Sequence, residues 1–440
     1  MKILHRVLVG LVVAFGVCSP AAAAGEQFIP VPVYKTGPVN AVGTGLFGGF
    51  IDYLDLVNKR DGGVGGVKLV WEECETAFQV DRTVECYERL KKKGPTGASF
   101  FMPYHTGSVY ALTERARADR IPIVMLGAGR ADASDGRVFP YSFPIGTSYW
   151  SANTIKIRYI GNREGGMDKL KGKRIVNLHM GNAFGKETMP VLEAQAKKYG
   201  FQVAHIEIPL PGMEQQAQWL QIRQLKPDWV ILNSAGVQVP AALKMAQRMG
   251  YPADRIVGGG GTSAEEDVIP AGDAAKGFVA WPLIPSGAEY PVIQEIRKVL
   301  YSGGKKGNLE DPRRIGTVFH NVGVANGIMH TEAIRVAQGK YGKKPLTGEQ
   351  IQWGFEHLNI DDKRLKQLGA VGLLPNIKTS CADHEGGGAA KFHQWNGSKW
   401  VIITDWIPSD QSIVRPLIEE AAAKYAKEKG LTPRDCSKEG

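Results

Sequence analysis

Residues 139–144 read Phe139-Pro140-Tyr141-Ser142-Phe143-Pro144, and this proline-bounded stretch, set within Val138–Trp150, breaks the chain's pattern in two. Upstream, the β-rich runs Phe28–Tyr34, Val67–Trp71, Ala98–Met102 and Ile123–Leu126 alternate with the helical runs Gly45–Arg60, Gln79–Lys92 and Ser108–Ala118. Downstream, Arg174–His179, Val203–Ile208, Trp229–Asn233 and Arg255–Gly258 alternate with Ser151–Gly165, Phe184–Tyr199, Gln215–Gln224 and Ala241–Met249. Repeated β-α-β alternation predicts parallel sheets with helices on both faces. Eight strands at this spacing are also compatible with a closed barrel. The break after the fourth strand instead predicts two similar α/β halves. Beyond them, Phe278–Gln338 carries a strand-like run ending at Trp281-Pro282 and helical runs at Pro291–Tyr301 and Gly316–Gln338. The tail then turns to aromatic-rich strands, Ala389–Trp395 and Trp400–Trp406, around Asn396-Gly397, a hairpin signal.

The bulk composition agrees with this reading. A chain of 440 residues, 43% hydrophobic and 22% charged, has room for two or three domains and excludes disorder or a small disulfide scaffold. Its 54 glycines follow no three-residue period, which excludes collagen, and they cluster at the ends of apolar runs, as tight strand-to-helix turns require.

The first 24 residues form a separate unit. Lys2, His5 and Arg6 precede the apolar run Val7–Val17, followed by Ser19-Pro20 and Ala21–Ala24, the order of a secretory signal peptide. The apolar run is too short to span a bilayer, and the mature protein is expected to begin near Gly25, exported and soluble. A lipid anchor on Cys18 is the competing reading, weakened because Val17 stands where a small residue is expected. Loss of Lys2 and Arg6 lowers the formal charge of +10 by two, to +8. The one dense basic cluster, Lys91-Lys92-Lys93, reads as a solvated helix end rather than a nucleic-acid surface.

Four cysteines remain, Cys74, Cys86, Cys381 and Cys436, an even number in an oxidising compartment. Three pairings are possible. The short-range one, Cys74 with Cys86 and Cys381 with Cys436, is favoured because each pair lies within one region of the chain. No C-x-x-C or H-x-x-x-H spacing supports zinc.

Several motifs invite a catalytic or cofactor reading. Gly43-Thr44-Gly45-Leu46-Phe47-Gly48 matches a dinucleotide fingerprint, but Lys35–Val42 separates it from its strand, whereas the motif needs the strand to run straight into the glycines. Gly258-Gly259-Gly260-Gly261 lacks the Lys-Ser/Thr of a phosphate loop and fits either a turn or the lining of a cleft at the strand ends. Asp383-His384-Glu385, near Cys381 and His393, reads as a polar loop, since three consecutive side chains rarely converge on one metal ion. There is no G-x-S-x-G elbow and no carboxylate pair placed for acid–base work. No enzyme activity, metal or cofactor is therefore expected.

Thr36-Gly37-Pro38, the stretch Gly48–Gly66 with Asn58-Lys59-Arg60-Asp61-Gly62-Gly63-Val64, the Cys74–Cys86 segment and Phe184-Gly185 occur in an order and spacing that resembles the periplasmic solute-binding proteins of branched-chain amino acid ABC transporters. The resemblance runs over nearly the whole mature chain. It implies two doubly wound lobes, residues 25–147 plus 284–365 and 148–283 plus 366–440, joined by three hinge crossovers around a ligand cleft. It also implies a monomer that delivers a small molecule to membrane permease subunits. An exported enzyme and a receptor-docking sensor are the alternative classes.

Carried over residue by residue, the family's carboxylate subsite falls on Thr106, Gly127 and Gly129. Its ammonium-binding acid falls at Gly260, and the hydroxyl that assists it falls at Gly129, so both of those side chains are missing. The covering aromatic is Phe184, while a second falls near Ala235 or Gly236, and with Gly127, Gly129 and Gly260 this implies a roomy cleft. Tyr104, Tyr149, Trp150 and Trp281 are expected near the hinge. The ligand implied is a small organic carboxylate, such as an aromatic one, without an ammonium group. An amino acid remains the alternative, with Glu265 or Glu266 replacing the missing acid.

Overall fold

The computed structural model describes residues 25–438. The signal-peptide reading of residues 1–24, and Cys18 with it, lies outside the described residues. Strand β1 (Glu26–Val33) is buried at every residue but the first, the mark of a central strand covered on both faces. It pairs in parallel with β2 (Lys68–Glu75), Phe28 opposite Val70 and Val33 opposite Glu75. Helix α1 (Asn40–Asp61) crosses between them and stops at Gly62, whose φ of 69° closes the helix in the left-handed conformation.

On the other side of β1, Ser99 donates its backbone N–H and its hydroxyl to the Phe28 carbonyl. Phe101 then bridges Ile123, so the expected strand Ala98–Met102 is an extended segment with a single ladder position. Helices α2 (Val80–Leu90) and α3 (Thr106–Asp119) precede β3 (Ile123–Val124), which pairs in parallel with β4 (Ser142–Phe143). The chain then leaves this half through residues 144–148 and enters α4 (Tyr149–Glu164).

The second half is a parallel sheet of β5 (Arg174–Met180), β6 (Gln202–Ile208), β7 (Trp229–Asn233), β8 (Ile256–Gly258) and β9 (Val279–Ala280), in the order 6-5-7-8-9. Its helices are α5 (Ala183–Lys186), α6 (Met189–Tyr199), α7 (Gln216–Leu225), α8 (Gln238–Arg248) and α9 (Glu265–Val268). The helix expected over Phe184–Tyr199 is thus two, divided where Pro190 begins a new first turn. Two antiparallel strands from the tail, His393–Trp395 and Trp400–Ile402, extend the sheet beyond β9. The hairpin turns where expected, with the Asn396 side chain accepting N–H groups from Ser398 and Lys399.

After α10 (Pro291–Ile296) the chain returns to the first half, where α11 (Val318–Tyr341) packs along α1. The two backbones approach so closely that a Cβ on Gly323 would lie 2.0 Å from the Leu46 carbonyl oxygen, and one on Gly49 would lie 2.1 Å from that of His320. Gly43–Gly48 lies inside α1, not at a strand-to-helix turn, and a Cβ on Gly43 would meet the Tyr34 carbonyl oxygen at 2.0 Å. Those glycines serve helix packing.

Cys74 is bonded to Cys86, and Cys381 to Cys436, the favoured pairing. The Asp383–Glu385 loop clasps the crossover after β4: His384 stacks on Phe143 at 3.9 Å and faces Glu356, while Glu385 accepts the Ser148 N–H at 2.7 Å. Its three polar side chains hold separate partners. No helix among the described residues is long and apolar enough to cross a membrane.

Candidate functional site

The C-terminal ends of strands from both halves face one cavity of about 80 Å³. In open α/β sheets this is where backbone groups and following loops can meet a ligand. Tyr34 comes directly from β1, Asn233 from the end of β7, Gly259–Gly261 from the end of β8, and Trp281 from the end of β9. Thr106 opens α3, Tyr149 opens α4, and Phe184 sits in α5. Most of the wall is aromatic. Tyr149 and Phe184 pack with ring centroids 5.4 Å apart, and Tyr34 meets Phe78 edge-on at 5.1 Å.

Two of the aromatics stand on strained backbone. Phe78 and Tyr104 have φ of 58° and 44°, and Ala77 before Phe78 has 49°. Side chains with a Cβ rarely adopt this region, at a cost of roughly 1–2 kcal/mol each. Local hydrogen bonds hold the conformation: Ala77 N–H donates to Glu75 at 2.7 Å, and the Tyr104 hydroxyl donates to the Leu126 carbonyl at 3.1 Å.

The polar groups lie in two clusters. At the first, the Thr106 hydroxyl meets the Tyr149 hydroxyl at 3.2 Å. Thr106 does not cap its own helix; the His105 side chain does, accepting the Ser108 N–H at 3.2 Å. Burial holds the His105 imidazole down to about 4, so it is neutral near pH 7. At the second cluster, Lys156 Nζ donates to Asn233 Oδ1 at 2.5 Å. The Asn233 amide is in turn fixed by donation to Asn177 Oδ1 at 2.6 Å and Thr188 Oγ1 at 3.1 Å. Burial lowers the Lys156 ammonium to about 7.

Among the described residues, no Asp or Glu lines the cavity. The nearby acids have other partners: Glu265 accepts the Val318 N–H at the start of α11 and Glu266 pairs with Arg314, both across the halves, while Asp267 accepts the Gly236 N–H at 2.8 Å within the second half. Among the described residues no grouping of His, Cys, Asp and Glu has the arrangement of a metal site.

Of the residues singled out from sequence, Thr106, Phe184, Gly260, Tyr104, Tyr149 and Trp281 stand together on the cavity wall. Gly127, Gly129, Gly236 and Trp150 lie behind it. Gly127 donates its N–H to the Ile145 carbonyl at 2.7 Å. Gly236 sits where the halves touch, and a Cβ there would come within 2.4 Å of the Pro38 carbonyl oxygen. Trp150 donates to the Glu187 carbonyl from a separate cluster with Val191 and Ile418. The room expected from missing side chains at Gly127 and Gly260 is filled by Leu283, whose atoms lie 2.7 Å from a Cβ built at either position. Sequence reading passed over Tyr34, Phe78, Lys156, Asn233 and Phe319. The one available signal was a polar residue inside an apolar run, as in Ile155-Lys156-Ile157 and Val230-Ile231-Leu232-Asn233.

Comparison with known proteins fits this architecture. Residues 26–399 match the family model described as periplasmic binding protein, so the chain belongs to the periplasmic binding protein family. A structure from the Pseudomonas fluorescens group, described as an ABC transporter permease, is 47% identical over 93% of this chain and 99% of its own, with a TM-score of 0.88. The same fold recurs in a branched-chain amino acid ABC transporter protein from Thermus thermophilus with bound valine, at 20% identity, 89% and 99% coverage and TM-score 0.73. It recurs again in a solute-binding protein from R. palustris in complex with benzoate, at 17% identity, 88% and 98% coverage and TM-score 0.68. No curated protein matches the chain.

Proposed function

We propose that this protein is the solute-binding subunit of an ABC uptake transporter and that its ligand is a small organic carboxylate with an aromatic body and no ammonium group. The observation that carries the ligand class is that, among the described residues, no carboxylate side chain lines a cavity walled by Tyr34, Phe78, Tyr149, Phe184 and Phe319. An ammonium group enclosed there would lose its hydration without gaining an anion, at a cost of several kcal/mol. Of the two ligands seen in same-fold relatives, benzoate has the chemistry this wall accepts and valine lacks it.

The protein works by lobe closure: residues 25–147 plus 284–365 form one lobe, residues 148–283 plus 366–440 the other, and the closed form is what the membrane permease reads. Contacts across the rims support this. Tyr110 donates to Glu187 at 2.6 Å on one side, and Arg314 pairs with Glu266 on the other. Residues 1–24 direct export to the periplasm and are removed. As the cargo of a binding subunit, the ligand is carried and released unchanged.

A thermal-shift screen tests the ligand class by pairing amino acids with their deaminated acids, phenylalanine against 3-phenylpropionate among them, with benzoate included. The acids are expected to stabilise and the amino acids not; stabilisation by phenylalanine or leucine above the matching acid refutes the reading. Solution scattering with a stabilising acid should show a smaller radius of gyration than the free protein. Mass spectrometry of that acid after incubation should return it intact.

A further inference from the structure

The geometry points to Lys156 and Trp281, on the second lobe, as the pair that holds the ligand's anionic group. This assignment rests on the carboxylate reading above and moves the acid from the Thr106 end of the cavity to the opposite wall. Lys156 is 2% exposed and, among the described residues, has no carboxylate partner; its one hydrogen bond is to the neutral Asn233 amide. Trp281 is also 2% exposed, and its indole N–H has no partner. Both residues line the cavity.

The two donors converge on one spot. A Cβ built on Gly259 would lie 3.4 Å from Lys156 Nζ, 3.7 Å from Trp281 Nε1 and 3.6 Å from Asn233 Oδ1. Gly259 lines the cavity and has no side chain, so nothing of its own stands between the two nitrogens and a ligand there. An ammonium has three donors, and Asn233 uses one. Two remain, with the indole N–H as a third, and a carboxylate has lone pairs for all of them. Asn233 cannot turn its amide to compete, because its own N–H₂ group is committed to Asn177 and Thr188.

A buried cation without an anion is among the costlier arrangements a fold can retain, and replacing such a group with an apolar residue is commonly neutral or stabilising. Its placement in an aromatic cavity on the strand ends gives it a use when the ligand supplies the anion. The Thr106–Tyr149 end, by contrast, presents hydroxyls already paired with each other and a neutral imidazole beside them. That end suits a neutral polar atom.

The test is calorimetric titration of full mature protein with benzoate, phenylacetate and 3-phenylpropionate, each against its carboxamide, which has the same shape without the charge. The variants are K156M, W281F and T106V. Wild type should prefer acid over amide by roughly ten- to a hundredfold, since a charge-assisted bond is exchanged for a neutral one. K156M should abolish the preference, W281F should weaken acid binding by about tenfold or less, and T106V should keep the preference. Circular dichroism melts establish that each variant is folded, and K156R, which keeps the charge, should retain part of the preference if K156M alone proves unstable. A K156M protein that still prefers acid, or a T106V protein that loses the preference, overturns the assignment and leaves the carboxylate reading standing. Failure of every acid to bind wild type refutes the carboxylate reading itself, and this assignment with it.

Discussion

Replacing Lys156 by Met should make the ligand-free protein more stable at pH 6 and erase most of that gain by pH 9. Burial brings the Lys156 ammonium from its ordinary 10.5 down to about 7. At about 1.4 kcal/mol per pH unit, holding that ammonium protonated in the fold costs roughly 5 kcal/mol below pH 7. Methionine is similar in length and carries no charge, but it leaves Asn233 Oδ1 without its donor, a loss of about 1–3 kcal/mol. The net expectation at pH 6 is a gain of about 2–4 kcal/mol. The sign with pH follows from which state binds more protons. Between pH 7 and 10.5 the folded lysine is neutral while the unfolded one is still charged, so this residue's contribution to wild-type stability rises with pH by about 1.4 kcal/mol per unit. K156M has no such term, so its advantage should shrink by roughly 3 kcal/mol between pH 7 and 9. Other buried groups titrate nearby: burial raises the carboxyls of Glu187, Asp267 and Glu385 to about 7 and that of Glu265 to about 8. They are common to both proteins and cancel in the difference. Urea unfolding of both proteins, stripped of ligand by unfolding and refolding, at pH 6, 7, 8 and 9 gives that difference directly. A difference independent of pH, or a K156M protein less stable than wild type at pH 6, refutes the reasoning.

Three further outcomes follow from close contacts and the covalent links. Gly236→Ala places a Cβ at φ 61°, against the Pro38 carbonyl oxygen of the other lobe, and should lower affinity for any acid found in the screen by tenfold or more while leaving the fold intact by circular dichroism. Gly323→Ala drives a methyl into the Leu46 carbonyl and the Phe50 backbone and should cost about 3 kcal/mol or more of stability in urea, because neither helix backbone can yield as a side chain does. Removing the Cys74–Cys86 bond by double alanine substitution opens a short loop and should cost up to about 3 kcal/mol, and thiol titration of the denatured, unreduced mature wild type should read near zero.

How much of this was legible in the sequence depended on whether a signal was local. The strand runs were readable because buried parallel strands are apolar along their whole length, and Trp229–Asn233 begins and ends where expected. The disulfides were readable from parity and proximity. The pairing of α1 with α11 was not, because Gly49 and Gly323 are far apart in the chain and only their contact gives either a meaning. The two halves of the candidate site differed in the same way. Tyr104, Thr106, Tyr149, Phe184, Gly260 and Trp281 were found because a resemblance supplied the fold that gathers them, whereas glycine positions were read as open space that Leu283 and the Pro38 carbonyl in fact occupy.

Lys156 shows why the remaining part was hidden. On a helix, a lone lysine normally faces water, and the isoleucines on either side of it are ordinarily assigned to the opposite face. Here Ile155, Lys156 and Ile157 are all buried, because α4 is covered on one side by the second sheet and its neighbours and on the other by the C-terminal segment Gln411–Lys429. Full enclosure removes the solvated face that a periodicity argument assumes. Once no face is solvated, a charge on the helix must find either a counterion or a cavity, and Lys156 finds the cavity. The same reasoning applies to Asn233, a polar terminus on the wholly buried strand β7, whose amide is oriented by two neighbours so that its oxygen meets the lysine. Enclosure therefore turns two residues that looked like ordinary helix and strand positions into the most polar part of an aromatic pocket, and it does so from the second lobe, where the missing acid at Gly260 had left no charged group to read.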